Sequence, residues 1–189
     1  MTARIVVVGS LNHDVTVWVP RRPQNDETIH GNRVEEFAGG KGANQAVAAA
    51  RLDAEVTMVG CVGKDGRGDF LLAELDAAGV NRAHVSRVDT STGIALITVD
   101  ADNVSIVVVA GANDVLDRER IEGAATAIKS ADVLLLQGEV GAEASRTAAL
   151  FAAASSTLVL FNPAPFNDVA QQVLPLADVV VVNRYEAQQ

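Results

Sequence analysis

Residues 133–161 read "VLLLQGEVGAEASRTAALFAAASSTLVLF". An apolar run from Val133 to Gln137 stops at a glycine, a helical stretch runs from Glu143 to Ala154, and a second apolar run spans Thr157 to Phe161. Strands apolar on both faces belong to sheets covered by helices on either side. Strand, helix and strand in that order imply parallel strands joined by right-handed crossovers. The alternation continues in both directions. Upstream a helix is expected from about Leu116 to Lys129, and downstream a helix from Asn167 to Leu174 and a strand from Val179 to Val182. Nearer the N-terminus, Ile5 to Val8 and "EVTMVGCVG" (55–63) read as further buried strands, and residues 43–52 as a helix. "DGRGDFLLAELDAAGV" (65–80) is a helix with an apolar stripe at Leu71, Leu75 and Ala78, stopped by Gly79.

A second style of strand is interleaved with the first. "DVTVWVP" (14–20) alternates Val15, Val17 and Val19 against Thr16 and Trp18, and "TIHGNRVEEF" (28–37) returns after a polar turn. "GIALITVDADNVSIVVVAG" (93–111) is a pair of strands around a turn at Asp100 to Asn103. The expectation is a central α/β sheet and a separate, half-exposed sheet. The final segment, "DVVVVNRYEAQQ" (178–189), leaves a strand apolar on both faces with nothing after it to cover its edge. Natural folds avoid such an edge, so the chain is expected to be part of a larger α/β domain.

Composition bounds the function. The chain has 189 residues, 49% of them hydrophobic, enough for one domain or one and a fraction. Fifteen basic against twenty-four acidic residues give a net charge of −9, and aromatics are 4%. Neither nucleic acid nor an anionic membrane is an expected partner. One cysteine, Cys61, excludes an intrachain disulfide and a cysteine zinc site, and its apolar neighbours predict a buried thiol. The first apolar run is too short for a signal peptide, and no stretch reaches the ~18–20 apolar residues of a membrane span. A soluble, cytoplasmic protein is expected.

Ligands of open parallel sheets lie beyond the carboxyl ends of the strands, so polar residues there are the site candidates. These are Asn12 and Asp14 after the first strand, Gly39, Gly40, Lys41 and Asn44 in "EFAGGKGANQAVAAAR" (36–51), Glu139, Asn162, and Asn183 with Glu186. The glycine-lysine stretch is not a Walker A loop, because Gly42 follows Lys41 and position 35 is Glu35. Carboxylates, amides and a lysine, without a Ser-His-Asp order or a ligand-spaced His pair, make a hydroxyl-binding inventory. Each has a structural alternative. Asn12 and Asp14 could serve a turn or cap, Gly39 and Gly40 a turn, Glu139 the cap of the helix near Glu143, and Asn183 nothing at all. His13, His30 and His84 read as surface or loop residues, and Trp18 as packing a sheet face or a partner's.

The segments "VVVGSLNHDVTVWVPRRPQNDETIHG", "FAGGKGANQAVAAARL", "VGCVGKDGRGDFLLAEL", "STGIALITVD", "VAGAND", "LLLQGEV", "NPAP" and "NRYEA" together resemble the ribokinase branch of the ribokinase-like (PfkB) sugar kinases, from about Arg4 to the last residue. The resemblance implies a Rossmann-like central parallel sheet flanked by helices over residues 1–189, incomplete at its C-terminus. It also implies a small inserted β-sheet lid, at roughly 14–37 and 91–109, through which such proteins often dimerise. It makes Asn12, Asp14, Gly39, Gly40, Lys41, Asn44 and Glu139 sugar-binding residues, and Asn183 and Glu186 a pair near the phosphates and Mg²⁺. The glycines then let the sugar approach the backbone and let the lid hinge.

The implied reaction is transfer from ATP to D-ribose, giving ribose 5-phosphate, with Mg²⁺ and a monovalent cation, K⁺, as cofactors. Alternatives are a kinase for another furanose or a nucleoside, or a non-catalytic sugar-binding or dimerisation module. One departure matters. The family's catalytic Asp, in a G-A-G-D motif, lies in its final third with the nucleotide pocket and the monovalent-cation site, and no such motif occurs here. "VAGAND" imitates its letters, but Asp114 follows the lid strands and is not read as the base. The 189 residues alone are therefore expected to be inactive, since loss of a general base costs ~10² to 10⁴ in rate.

Overall fold

The computed structural model describes residues 2–189. The central sheet has six parallel strands: β1 (Arg4–Val8), β4 (Glu55–Gly63), β5 (Asn81–Val88), β8 (Val133–Gln137), β9 (Leu158–Asn162) and β10 (Val179–Val180), in the order β10-β9-β8-β1-β4-β5. Both faces of the inner strands β1, β4, β8 and β9 are covered, which is why they are apolar at successive positions. Val6 and Val8 join the cluster under α3 (Arg118–Gly123), α4 (Ala125–Ser130), α5 (Ala142–Ala153) and α6 (Asp168–Val173). Val7 faces the opposite cluster, with α1 (Lys41–Arg51) and α2 (Gly66–Ala77). Cys61 is fully buried in this core, and burial pushes its thiol up to about 11, so it is an inert packing residue.

The second sheet, ordered β3-β2-β6-β7, is the inserted lid: β2 (Asn12–Trp18), β3 (Arg33–Gly39), β6 (Gly93–Val99) and β7 (Val104–Val109). β2 and β6 pair in parallel, and the outer pairs are antiparallel. Asn12, Asp14 and Thr16 share one face with their register partners Gly39, Phe37 and Glu35. Thr16, not the alternating valines, is among the buried residues of β2.

Several expectations are corrected. The helix expected over Leu116 to Lys129 is two short helices, broken at Ala124 after the poor helix former Gly123. β5 was not expected at all: "NRAHVSRV" carries polar residues because it is an edge strand. β10 is shorter than the run Val179 to Val182, and those valines stand 40–49% exposed. His13 is not a surface residue: it is buried in β2, with Nε2 3.1 Å from Glu36 and its ring edge-on to Phe70. His84 lies in β5, half-buried, and only His30 is in an exposed loop. Trp18 packs beneath the Arg33 guanidinium, 3.8 Å from the ring centre.

The lid is tied to the body by an aspartate. Asp65 caps α2 by accepting from Gly68 N (2.8 Å), and it also accepts from Thr92 N (2.9 Å) and Thr92 Oγ1 (2.6 Å) just before β6 begins. Asp65→Ala removes a helix cap and a part-buried latch together. It is expected to cost about 1–3 kcal/mol in urea unfolding.

Candidate functional site

The strand order reverses at the centre of the sheet. From β1 the chain builds outward through β4 and β5, then returns to β8 on the other side. Such a switch point opens a crevice beyond the carboxyl ends of the two neighbouring strands. Here it receives Ser10 from the segment after β1, Asn12 from the first position of β2, Glu139 from the segment after β8, and the start of α1. Glu139 does not cap α5, whose N-cap is Gly141 without a side-chain bond. It accepts instead from Ser10 Oγ (2.5 Å) and Lys41 N (3.0 Å). Ser10 Oγ in turn accepts from Gly42 N (3.3 Å), so the first turn of α1 is stitched to β1 and β8. Gly42 is required there, since a Cβ would collide with the backbone of Gly9 and Ser10.

Asp14 stands on the lid above this crevice, in mid-strand and not at a turn or helix cap. Its Oδ1 is buried and has no hydrogen-bond partner among the described residues. A Cβ at Gly39 would overlap this carboxylate, so the glycine is what lets β3 pass so close. Burial raises the Asp14 pKa above the ordinary carboxylate value, and the nearby Glu139 raises it further, against a smaller lowering by His13. Two carboxylates therefore lie near each other here, one of them with a buried, unpartnered oxygen.

Lys41 and Gln45 line a cavity of about 440 Å³ with Asn162, Asn183 and Glu186. Asn183 and Glu186 bond each other: Glu186 accepts from Asn183 N (2.8 Å) and Nδ2 (2.9 Å), and Asn183 Oδ1 accepts from Tyr185 N and Glu186 N. This reciprocal bonding is a capping-box arrangement, so Asn183 has a definite structural role as well. Asn44 is exposed one turn along α1, and lines a groove of about 550 Å³ with Phe37, the register partner of Asp14. Asn12, Asp14, Gly39, Gly40, Lys41 and Glu139 are therefore gathered at the crevice, with Asn44 beside it and Asn183 and Glu186 across the second cavity. Asp114 is exposed and lines a third cavity, of about 360 Å³, with Glu139 and Asp168.

Ser10, Gln45, Asn113 and Gln137 were not among the candidates. Gln137 is fully buried at the end of β8 and donates from Nε2 to Gln45 Oε1 (2.6 Å). The signal for Gln137 was a polar residue closing an apolar run.

A six-stranded parallel sheet, a four-stranded lid and a switch-point crevice lined by carboxylates, amides and a lysine define a carbohydrate kinase fold. The chain matches the pfkB family carbohydrate kinases over residues 2–189, and it belongs to that family. It is 37% identical to the ribokinase of Staphylococcus aureus over 191 residues, covering 100% of this chain and 63% of that protein. It is 39% identical to the deoxyribokinase of Salmonella typhi over 163 residues, 85% of this chain and 53% of the relative. The structure of Arabidopsis thaliana ribokinase complexed with ribose and ATP superposes with a TM-score of 0.85 at 30% identity, covering 98% of this chain and 62% of that one. The chain thus spans less than two thirds of these relatives' length. Among the described residues no helix is long and apolar enough to cross a membrane.

Proposed function

We propose that these residues are the sugar-binding portion and lid of an ATP-dependent kinase that phosphorylates D-ribose to ribose 5-phosphate. The observation that carries this reading is the buried, unpartnered Oδ1 of Asp14. An unsatisfied buried acceptor costs about 1–3 kcal/mol, and a hydroxyl donor relieves it. Asp14 and Glu139 accept from sugar hydroxyls, Asn12, Lys41 and Asn44 supply donors, and Gly39 and Gly40 let the ring lie against the backbone. The likeness to ribokinases, one of them complexed with ribose and ATP, supports D-ribose and ATP as the substrates.

Asn183 and Glu186 form the phosphate side of the same site, across the cavity from Lys41. Glu186 is the one carboxylate lining that cavity, and among the described residues no three His, Cys, Asp or Glu side chains cluster as a metal site. This donor set fits a Mg²⁺ that keeps most of its ligands as water and phosphate oxygens. When bound, Mg²⁺ neutralises phosphate charge. None of the 189 residues is proposed for K⁺. Val104, Ile106, Val107 and Val108 of β7 are all at least half exposed, which supports a homodimer through the lid.

The test is ribose-dependent ADP release. Joined to a C-terminal portion that carries a G-A-G-D motif, residues 1–189 should release ADP with ribose present. The polypeptide of residues 1–189 should not exceed a Lys41→Ala control, and turnover by it would contradict the proposal. A second reading, a kinase for another furanose, is favoured by the likeness to deoxyribokinase. Competition between ribose and 2-deoxyribose separates the two, and we expect ribose to win.

A further inference from the structure

Asn113 is buried in the 3₁₀ turn that leaves the lid, and it belongs to none of the groups assigned above. Its side chain reaches across the sequence to the segment joining β1 to β2. Asn113 Oδ1 accepts from Leu11 N (2.9 Å), and Asn113 Nδ2 donates to Asn12 Oδ1 (2.8 Å), Ala110 O (3.1 Å) and Leu11 O (3.2 Å). The same point gathers the other lid crossings. Ala112 N donates to Ser91 O (2.8 Å), and a Cβ at Gly93 would fall on Asn12 Oδ1, Asn113 Nδ2 and Ala110 O. Gly40 is pressed against Asn12 N and Ser10 O.

The orientation of both amides follows from backbone chemistry. Leu11 N can only donate, so it must face the Asn113 oxygen. Leu11 O and Ala110 O can only accept, so they must face the Asn113 nitrogen. Asn12 then has no choice: its oxygen meets Asn113 Nδ2, and its own Nδ2, which bonds no acceptor among the described residues, is left for the crevice. Asn12 lies two residues before Asp14 on the same face of β2.

We propose that Asn113 is a positioning residue that locks the Asn12 carboxamide with its nitrogen turned into the site. Asn12 is thereby a fixed donor beside the acceptor Asp14, so a single hydroxyl can give its proton to Asp14 and accept one from Asn12. The sugar part of this inference rests on the function proposed above; the amide orientation does not.

Hydrogen exchange of the side-chain amides, followed by NMR on asparagine-¹⁵N-labelled full chain without sugar, tests the orientation. Substitutions at positions 12 and 113 supply the assignments. The Asn113 amide protons should exchange at least about 100-fold more slowly than those of Asn12, as buried and bonded protons do. The reverse order, or equal rates, overturns the proposal. Calorimetry with D-ribose and ATP tests the consequence. Asn113→Asp sets carboxylate oxygens against Leu11 O and Ala110 O and removes the donor to Asn12. Ribose affinity should fall about tenfold, the worth of one hydrogen bond of ~1.4 kcal/mol, while ATP affinity stays within about twofold. Unchanged ribose affinity, or equal losses for both ligands, overturns it. If the wild type binds no ribose, the proposed function fails and the exchange rates still decide the orientation.

Discussion

Asp14→Asn is expected to weaken ribose binding by roughly five- to 150-fold, equivalent to ~1–3 kcal/mol, and at the same time to raise the melting temperature at neutral pH. The two effects share one cause. The carboxylate is held half-buried, with an unpartnered oxygen and Glu139 nearby, because the ligand and not the protein completes its hydrogen bonding. Burial first, and Glu139 second, raise its pKa in the folded state. An acid with a raised folded value holds its proton more tightly folded than unfolded. Its contribution to stability is therefore gained as pH falls through the window between the ordinary and raised values, and lost as pH rises. Above that window the wild type carries the full cost of an ionised, unpaired carboxylate, which Asn does not have. Sugar binding runs the other way: ribose affinity should fall as pH drops through the same window, when the acceptor is protonated. Had Asp14 served only a turn, the substitution would lower stability and leave affinity unchanged. Calorimetric ribose titrations and thermal melts at matched pH distinguish these outcomes.

Gly40→Ala and Gly39→Ala should differ sharply although the residues are adjacent. Gly40 has φ +88°, and a Cβ there would lie 2.8 Å from Asn12 N and Ser10 O and 3.0 Å from Leu11 Cα. These are backbone atoms that cannot step aside, so conformational strain and overpacking combine. We expect a loss of about 3 kcal/mol or more in urea unfolding. At Gly39 the φ is not positive, and the atoms nearest to a Cβ there belong to the Asp14 carboxylate, the end of a side chain that can swing away. Gly39→Ala should fold nearly as well as the wild type but lose ribose binding, since the displaced group is the sugar acceptor. Equal stability of both variants would contradict the tight turn at Gly40.

How far the sequence discloses these features depends on whether they are local. The parallel sheet was legible because β1, β4, β8 and β9 are covered on both faces and so are apolar throughout. β5 was hidden because an edge strand tolerates Asn81, Arg82 and Arg87. The break in the helix after Asp117 was written in Gly123, which a continuous helix would avoid. In the site, Lys41 and Glu139 could be picked out by position, at a helix start and just past a strand end, and Asp14 by its nearness to the end of β1 in sequence. Ser10 and Asn113 could not, because their bonds join residues 129 and 101 positions apart. His13 looked like a loop residue only because its burial depends on Phe70 in α2, a contact between elements.

A crystal structure of the full chain grown with D-ribose tests the central claim most directly. The sugar should lie in the switch-point crevice, its ring against Gly39 and Gly40. A hydroxyl should donate to Asp14 Oδ1 and accept from Asn12 Nδ2, with another hydroxyl on Glu139. Ribose bound elsewhere, or a crevice in which Asp14 Oδ1 takes a protein donor and excludes the sugar, would contradict the account.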